Sequence, residues 1–114
     1  MDELEFIKQI LEAHRGKGNE ISTGDIEEML GFPRDDTHVR GRRLIKKCAE
    51  KYNIPLAGND SGYYIMITDE ELNEYKANLR SRTEKIKERE RTMENNYKEW
   101  NKWSLNSTMR NFKN

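Results

Sequence analysis

The chain has little that could cross-link it, break a long helix or hold it in a membrane. Cysteine occurs once among 114 residues, at Cys48, which excludes an internal disulfide and a multi-cysteine zinc site and leaves a small buried apolar group as its expected role. Histidine occurs twice, at His14 and His38 on different elements, so no metal cluster is expected, and both read as packed, hydrogen-bonded residues. Pro33 and Pro55 are the only prolines, and no glycine follows Gly62, so nothing in the last part of the chain interrupts a helix. No run of about 18 apolar residues is present. There is also no charged-then-apolar leader with a small-residue cleavage site. Neither a membrane span nor a secretory signal is expected, and a cytoplasmic location follows. Asp35 and Asp36 stand beside His38 as in some metal nucleases, but no second acidic cluster at a strand end supports that chemistry; no enzyme and no cofactor are expected.

Hydrophobic residues make up 33% and charged residues 37%, a ratio that would mean disorder were it uniform, yet the apolar residues gather between residues 4 and 67. The length allows one small domain with an extension, not two cores. The zero net charge is unevenly spread. Residues 1–33 carry three bases and eight acids, a net of −5; residues 34–52 carry seven bases and three acids, a net of +4. Residues 53–70 hold three acids and no base, and residues 71–114 hold eleven bases and seven acids, again +4. An overall sum of zero argues against a nonspecific polyanion coat, whereas one basic segment argues for directed contact.

Leu4, Ile7, Ile10, Leu11 and His14 recur at spacings of three and four, which predicts an amphipathic helix over residues 2–15 ending near Gly16. Ile21 is an isolated apolar residue suited to a small strand, and Ser22 with Asp25 three positions on resembles a capping box for a short helix stopped at Gly31. A third helix is expected to start at Asp36 or Thr37 and to end near Tyr52. At 100° per residue His38, Gly41, Ile45, Cys48, Ala49 and Tyr52 share its inner face, with Leu44 on the flank; Arg40, Arg43 and Lys47 point outward, with Val39 and Lys46 beside them. "IPLAG" and "YYIMIT" around "NDSG" predict a hairpin. Alternation sends one of Tyr63 and Tyr64 inward, and the other could stack on a sugar or base. Thr68 with Glu71 is a second capping box, from which a helix is expected to run to about Trp103, leaving residues 104–114 as a frayed polar tail.

The fold class expected from this order is mainly α with a small β-hairpin (α+β): a winged helix-turn-helix domain over residues 1–68, then a long C-terminal helix over 69–103. "ISTGDIEEMLG" with "VRGRRLIKKCAEKYNIPLAGNDSGYYI" resembles the winged-helix modules common in bacteriophages and mobile elements, and "EELNEYKANLRSRTEKI" extends the resemblance to about residue 90. The resemblance implies that the third helix enters the major groove of double-stranded DNA and that the hairpin wing touches backbone or minor groove. Arg40, Arg43 and Lys47 would then face the duplex with Arg42 and Lys46 at the edges. Arg40 or Arg43 would read guanine and Val39 would pack on a thymine methyl. Thr37 and Arg34 would meet phosphate near the helix start, and Asn59, Asp60 and Ser61 would form the wing tip, with Tyr64 as the stacking candidate. The wing departs from the usual pattern, since it has no lysine or arginine and carries an acid.

About 35 residues from Asp69 make a helix on the order of 50 Å long. A body of residues 1–68 would be roughly 28 Å across, so about half of that helix is expected to project. Leu72, Leu79, Ile86, Met93 and Trp100 recur every seven residues, alternating with Tyr75, Arg82, Arg89, Asn96 and Trp103. Leu79, Ile86, Met93, Trp100 and Trp103 therefore predict a homodimer, antiparallel or splayed because a parallel pair would set Arg82 and Arg89 against their own copies. The alternative is a helix that folds back after a break near Asn95 and Asn96. The expected function is a dimeric, non-catalytic DNA-binding regulator or accessory factor in the bacterial host cell, with half-site spacing set by the long helices. A second expectation is a protein-binding adaptor or anti-defence inhibitor that presents its acidic first helix to a host protein. A third is a coiled-coil assembly factor.

Overall fold

The computed structural model describes the backbone of residues 2–33 and 36–113, and the side chains of that span as far as Trp103. It is mainly helical, with one two-stranded antiparallel sheet, in the order α1 (Glu3–Glu12), α2 (Thr23–Met29), α3 (Val39–Tyr52), β1 (Leu56–Asn59), β2 (Gly62–Ile65) and α4 (Asp69–Lys113). The chain divides into two compact units, Met1–Tyr75 and Lys76–Asn114, so the first turns of α4 belong to the unit that holds the core. No helix is long and apolar enough to cross a membrane among the described residues.

Local chemistry places most element starts. The Asp2 side chain accepts the Glu5 amide at 2.8 Å to open α1, and Ser22 Oγ accepts the Asp25 amide at 3.0 Å to open α2. α1 stops at Glu12, short of the expected residue 15, because the next carbonyls and amides are taken by the sheet: Ile65 N donates to His14 O at 2.9 Å and Gly16 N to Ile65 O at 2.8 Å. α2 ends at Met29, with Leu30 as its C-cap and Gly31 at φ +77°, a conformation that glycine adopts at little cost. α3 begins at Val39 rather than at Asp36 or Thr37, and the residue ahead of it, His38, takes a left-handed φ of 54° with no cap from its own side chain.

The hairpin pairs Leu56 with Ile65, Ala57 with Tyr64, Gly58 with Tyr63 and Asn59 with Gly62. Where a small strand was expected, Ile21 forms a single antiparallel bridge to the hairpin, exchanging two backbone hydrogen bonds of 2.9 and 2.8 Å with Tyr63. The core joins Ile7 and Leu11 of α1, Ile21, Ile26 of α2, Ile45 and Cys48 of α3, and Ile65 of β2. Burying a side chain such as Ile45, which is 0% exposed, contributes about 1.5 to 3 kcal/mol. The face of the sheet opposite Ile65 is covered as well, so Tyr64 is only 4% exposed.

The start of α4 is tied to the loop after α1. Thr68 Oγ1 accepts the Glu71 amide at 3.1 Å, while Glu71 accepts the amides of Ile67 at 2.7 Å and Lys17 at 2.8 Å. Lys17 Nζ pairs with Glu74 at 2.8 Å. In the second unit every residue from Lys76 to Trp103 is exposed, including Leu79, Ile86, Met93, Tyr97, Trp100 and Trp103. Lys87 with Glu84 and Lys98 with Glu94 form ion pairs along the helix, and the rings of Trp100 and Trp103 lie 6.3 Å apart. The helix continues past Trp103 to Lys113 where a frayed tail was expected, since no proline or glycine interrupts it; there is likewise no break at Asn95 and Asn96.

The amides of Lys17 and Ile67 hold the Glu71 carboxyl below its ordinary value of 4.5. A carboxylate depressed in the folded state stabilises above its unfolded pKa, and that contribution is lost as pH falls through the folded value. Glu71→Gln is therefore expected to melt below wild type at neutral pH, with the two melting temperatures converging as pH falls below about 4. Circular dichroism melts across that range check this, and a constant gap at all pH values would assign the effect to shape instead of charge.

Candidate nucleic-acid interface

α3 turns Gly41, Ile45 and Cys48 inward and leaves its bases on the other faces. Cys48 Sγ donates to Leu4 O at 3.3 Å, and burial pushes the thiol above its ordinary pKa, which suits a packing role and not a reactive thiolate. Packing of α1 beside α3 then divides the bases. Arg40 lies 3.7 Å from Glu3 and stacks 3.8 Å above the Phe32 ring; Lys51 lies 4.0 Å from Asp2. Arg42 donates to the Thr37 carbonyl. Arg43, Lys46 and Lys47 are exposed and have no ion pair among the described residues. Val39, 48% exposed, stands at the start of the same outer face, and the exposed Glu50 is the one acid within it.

The expected contact set is thus sorted. The structure brings Val39, Arg43, Lys46 and Lys47 together on an open face. It keeps Arg40 and Arg42 exposed but engaged within the chain. Thr37 is exposed, and its carbonyl is the one that fixes Arg42. Arg34 lies outside the described residues.

The wing expectations need correction. Tyr64 is not available for stacking on a sugar or base, because it is buried on the second face of the sheet; burial and the nearby carboxylates of Glu74 and Glu71 push its hydroxyl above the ordinary pKa. Tyr63, the alternative, is half-buried against the core, with its ring over Gly58. Asn59 is committed internally: its Oδ1 accepts the amides of Ser61 at 2.8 Å and Gly62 at 3.2 Å, and its Nδ2 donates to Glu20 at 3.1 Å. Ser61 remains exposed at the tip beside Asp60. The Asn59 amide and the Gly18 N–H hold the Glu20 carboxyl below its ordinary pKa, so the group that Asn59 meets from the hairpin stays negative at neutral pH.

Sequence reasoning missed three contacts around the basic helix: the acids of α1 that take Arg40 and Lys51, the Phe32 ring under Arg40, and Glu27. Glu27 is only 6% exposed and its Oε1 lies 2.5 Å from His38 Nδ1. The available signal was Gly41, a glycine on the inner face of a helix, which marks a close approach. His14 is half-buried, and its Nδ1 donates to the Asn19 carbonyl at 2.8 Å, in keeping with a packed, hydrogen-bonded role. No group of three or more His, Cys, Asp or Glu side chains among the described residues could hold a metal ion.

Because Asn59 closes the hairpin turn and anchors Glu20, Asn59→Ala is expected to lower stability by about 1 kcal/mol, the usual scale for lost hydrogen bonds of this kind. It is expected to leave any affinity for a duplex within about twofold, since its polar atoms are already occupied. Urea denaturation and fluorescence anisotropy, run on the same samples, check both halves.

Compared with protein-family models, with curated proteins and with solved structures, the chain matches none.

Proposed function

We propose that the chain binds double-stranded DNA through the outer face of α3, as a non-catalytic winged-helix regulator or accessory factor of phage type that acts as a dimer. One observation carries this reading: Arg43, Lys46 and Lys47 are exposed and unpaired among the described residues, whereas the bases on the flank of the same helix are taken by the acids of α1. The order helix, Ile21 strand, helix, basic helix, hairpin supports it, being the order of a winged helix-turn-helix domain. Arg43 has the fork geometry to read guanine O6 and N7, with Val39 beside it for a thymine methyl. Lys46 and Lys47 supply charge to phosphates. Arg40 contributes less, because reaching a phosphate means leaving Glu3; an exposed pair of that kind is worth only about 0 to 1 kcal/mol, so the exchange is allowed. Glu20 and Asp60 make the wing a weak phosphate contact, which concentrates the interaction on α3.

The dimer rests on the stripe of α4. Leu79, Ile86, Met93 and Trp100 repeat every seven residues and are all exposed, and a second copy with the same repeat is the partner whose side chains match it in spacing. Arg82 and Arg89 on the same seam favour an antiparallel or splayed pair.

An adaptor function has a separate observation in its favour. His14, Glu20, Ile21, Asp25, Glu28 and Met29 line a depression of about 410 Å³, in which Met29 is 56% exposed and the acids would suit a basic segment of a protein partner.

Anisotropy with random duplex DNA over a salt series separates the two. For three to four neutralised phosphates the logarithm of affinity is expected to fall against log salt with a slope of about −3. Arg43→Glu with Lys47→Glu should flatten that slope by about two and abolish a gel shift at near-physiological salt. A flat salt response in the wild-type chain removes DNA from the account, and a host protein still captured by the charge-reversed chain turns it toward the adaptor. Light scattering is expected to give twice the chain mass of 13.6 kDa, and Ile86→Lys with Met93→Lys should halve it. A monomeric wild-type mass discards the dimer.

A further inference from the structure

The residue ahead of α3 does not cap it as Asp2 and Ser22 cap α1 and α2. His38 precedes the first turn in a left-handed conformation, and its own side chain makes no hydrogen bond to that turn. A non-glycine residue at positive φ is held there by its surroundings. Here the surroundings are Glu27: its side chain is 8% exposed, and Oε1 meets the His38 ring at 2.5 Å. The rest of the carboxylate lies on the first turn of α3 itself. A Cβ at Gly41 would stand 2.7 Å from Glu27 Cγ and Cδ and 2.8 Å from Oε2. Gly41 thus provides the clearance for a carboxylate from α2 to reach the positive end of the α3 dipole. No other acid or base is buried among the described residues, and no buried polar side-chain atom among them lacks a partner.

We propose that Glu27 is the positioning residue of the basic helix: from α2 it fixes the left-handed His38 and caps α3 from outside, with Gly41 as the gap that admits it. This deepens the nucleic-acid reading and rests on it, because the turn held in place is the one from which Val39, Arg40 and Arg43 emerge. The contact sets the direction of those side chains rather than touching the ligand. The helix would survive its loss, since Ile45 and Cys48 anchor the inner face, but the first turn would fray and the outer face would lose its alignment with a groove.

The full-length chain tests this with four variants: Glu27→Gln, His38→Asn, Gly41→Ala, and Glu27→Ala combined with Gly41→Ala. Glu27→Gln is expected to weaken binding to random duplex DNA by roughly fivefold to tenfold, the scale of one lost helix cap, and to speed amide exchange over residues 39–42. His38→Asn, which keeps a residue tolerant of positive φ, should change duplex affinity less than Glu27→Gln. Gly41→Ala should lower both melting temperature and affinity. The double variant, in which the added methyl has space, should recover the melting temperature and not the affinity. Recovery of both would make Glu27 a space-filling residue and overturn the proposal, as would Glu27→Gln with unchanged affinity and exchange. If the wild-type chain binds no duplex, the nucleic-acid reading falls, and exchange alone judges Glu27: faster exchange over residues 39–42 in Glu27→Gln upholds the cap, unchanged exchange overturns it.

Discussion

The burial of one narrow stripe of α3 governs everything else in the first unit. Ile45 and Cys48 are fully buried and Gly41 lies against Glu27, so the helix has a single rotation about its axis that satisfies both the apolar core and the carboxylate. With that rotation set, the remaining positions have no freedom: Arg43, Lys46 and Lys47 point away from the body, and Arg40 and Lys51 come within reach of α1. Rotating the helix by one position would expose Ile45 and bury a base without a partner. A buried unpaired charge costs several kcal/mol, more than the unit could lose without unfolding.

Acids then act as a filter on that basic helix. Residues 1–33 carry a net charge of −5, and in the folded unit the charge is not spread evenly: Asp2 and Glu3 sit at the start of α1 against Lys51 and Arg40, while Glu20 meets Asn59 of the hairpin. Surface pairs at 3.7 and 4.0 Å add little to stability. Their larger effect is to engage Arg40 and Lys51 within the unit, which leaves Arg43, Lys46 and Lys47 as the exposed bases of α3 without an ion pair among the described residues.

What could be read from residue order and what could not differ by the range of the interaction. The Ser22 and Thr68 caps, the stop at Gly31, the hairpin turn over Asp60 and Ser61 and the pairing of Ile21 with the hairpin depend on neighbours within a few positions or on an isolated apolar residue between polar ones, and each was legible. The inner face of α3 followed from its 100° period. The start of α3 did not: the helix begins at Val39, and the residue ahead of it, His38, is held by Glu27, eleven residues earlier and on another helix. Tyr64 was misplaced because period-two alternation assumes one open sheet face, and here Tyr64 is only 4% exposed, with the carboxylates of Glu74 and Glu71 nearby. The partition of the bases depends on Asp2 and Glu3, separated from α3 by more than 35 residues, and nothing local announces it.

The second unit obeys a different balance. Between Lys76 and Trp103 no described residue is buried, so the helix there has only intrinsic propensity and neighbouring ion pairs such as Lys87 with Glu84 in its favour, worth tenths of a kcal/mol each. Six large apolar side chains remain in contact with water along it, and covering each would contribute about 1.5 to 3 kcal/mol, an order of magnitude more than any ion pair on the same helix. Arg82 and Arg89 on the seam oppose this, but their long aliphatic stems can lie along an apolar surface while the guanidinium groups stay in water. The apolar gain therefore outweighs the cost of the two arginines, and the stripe is most stable when covered.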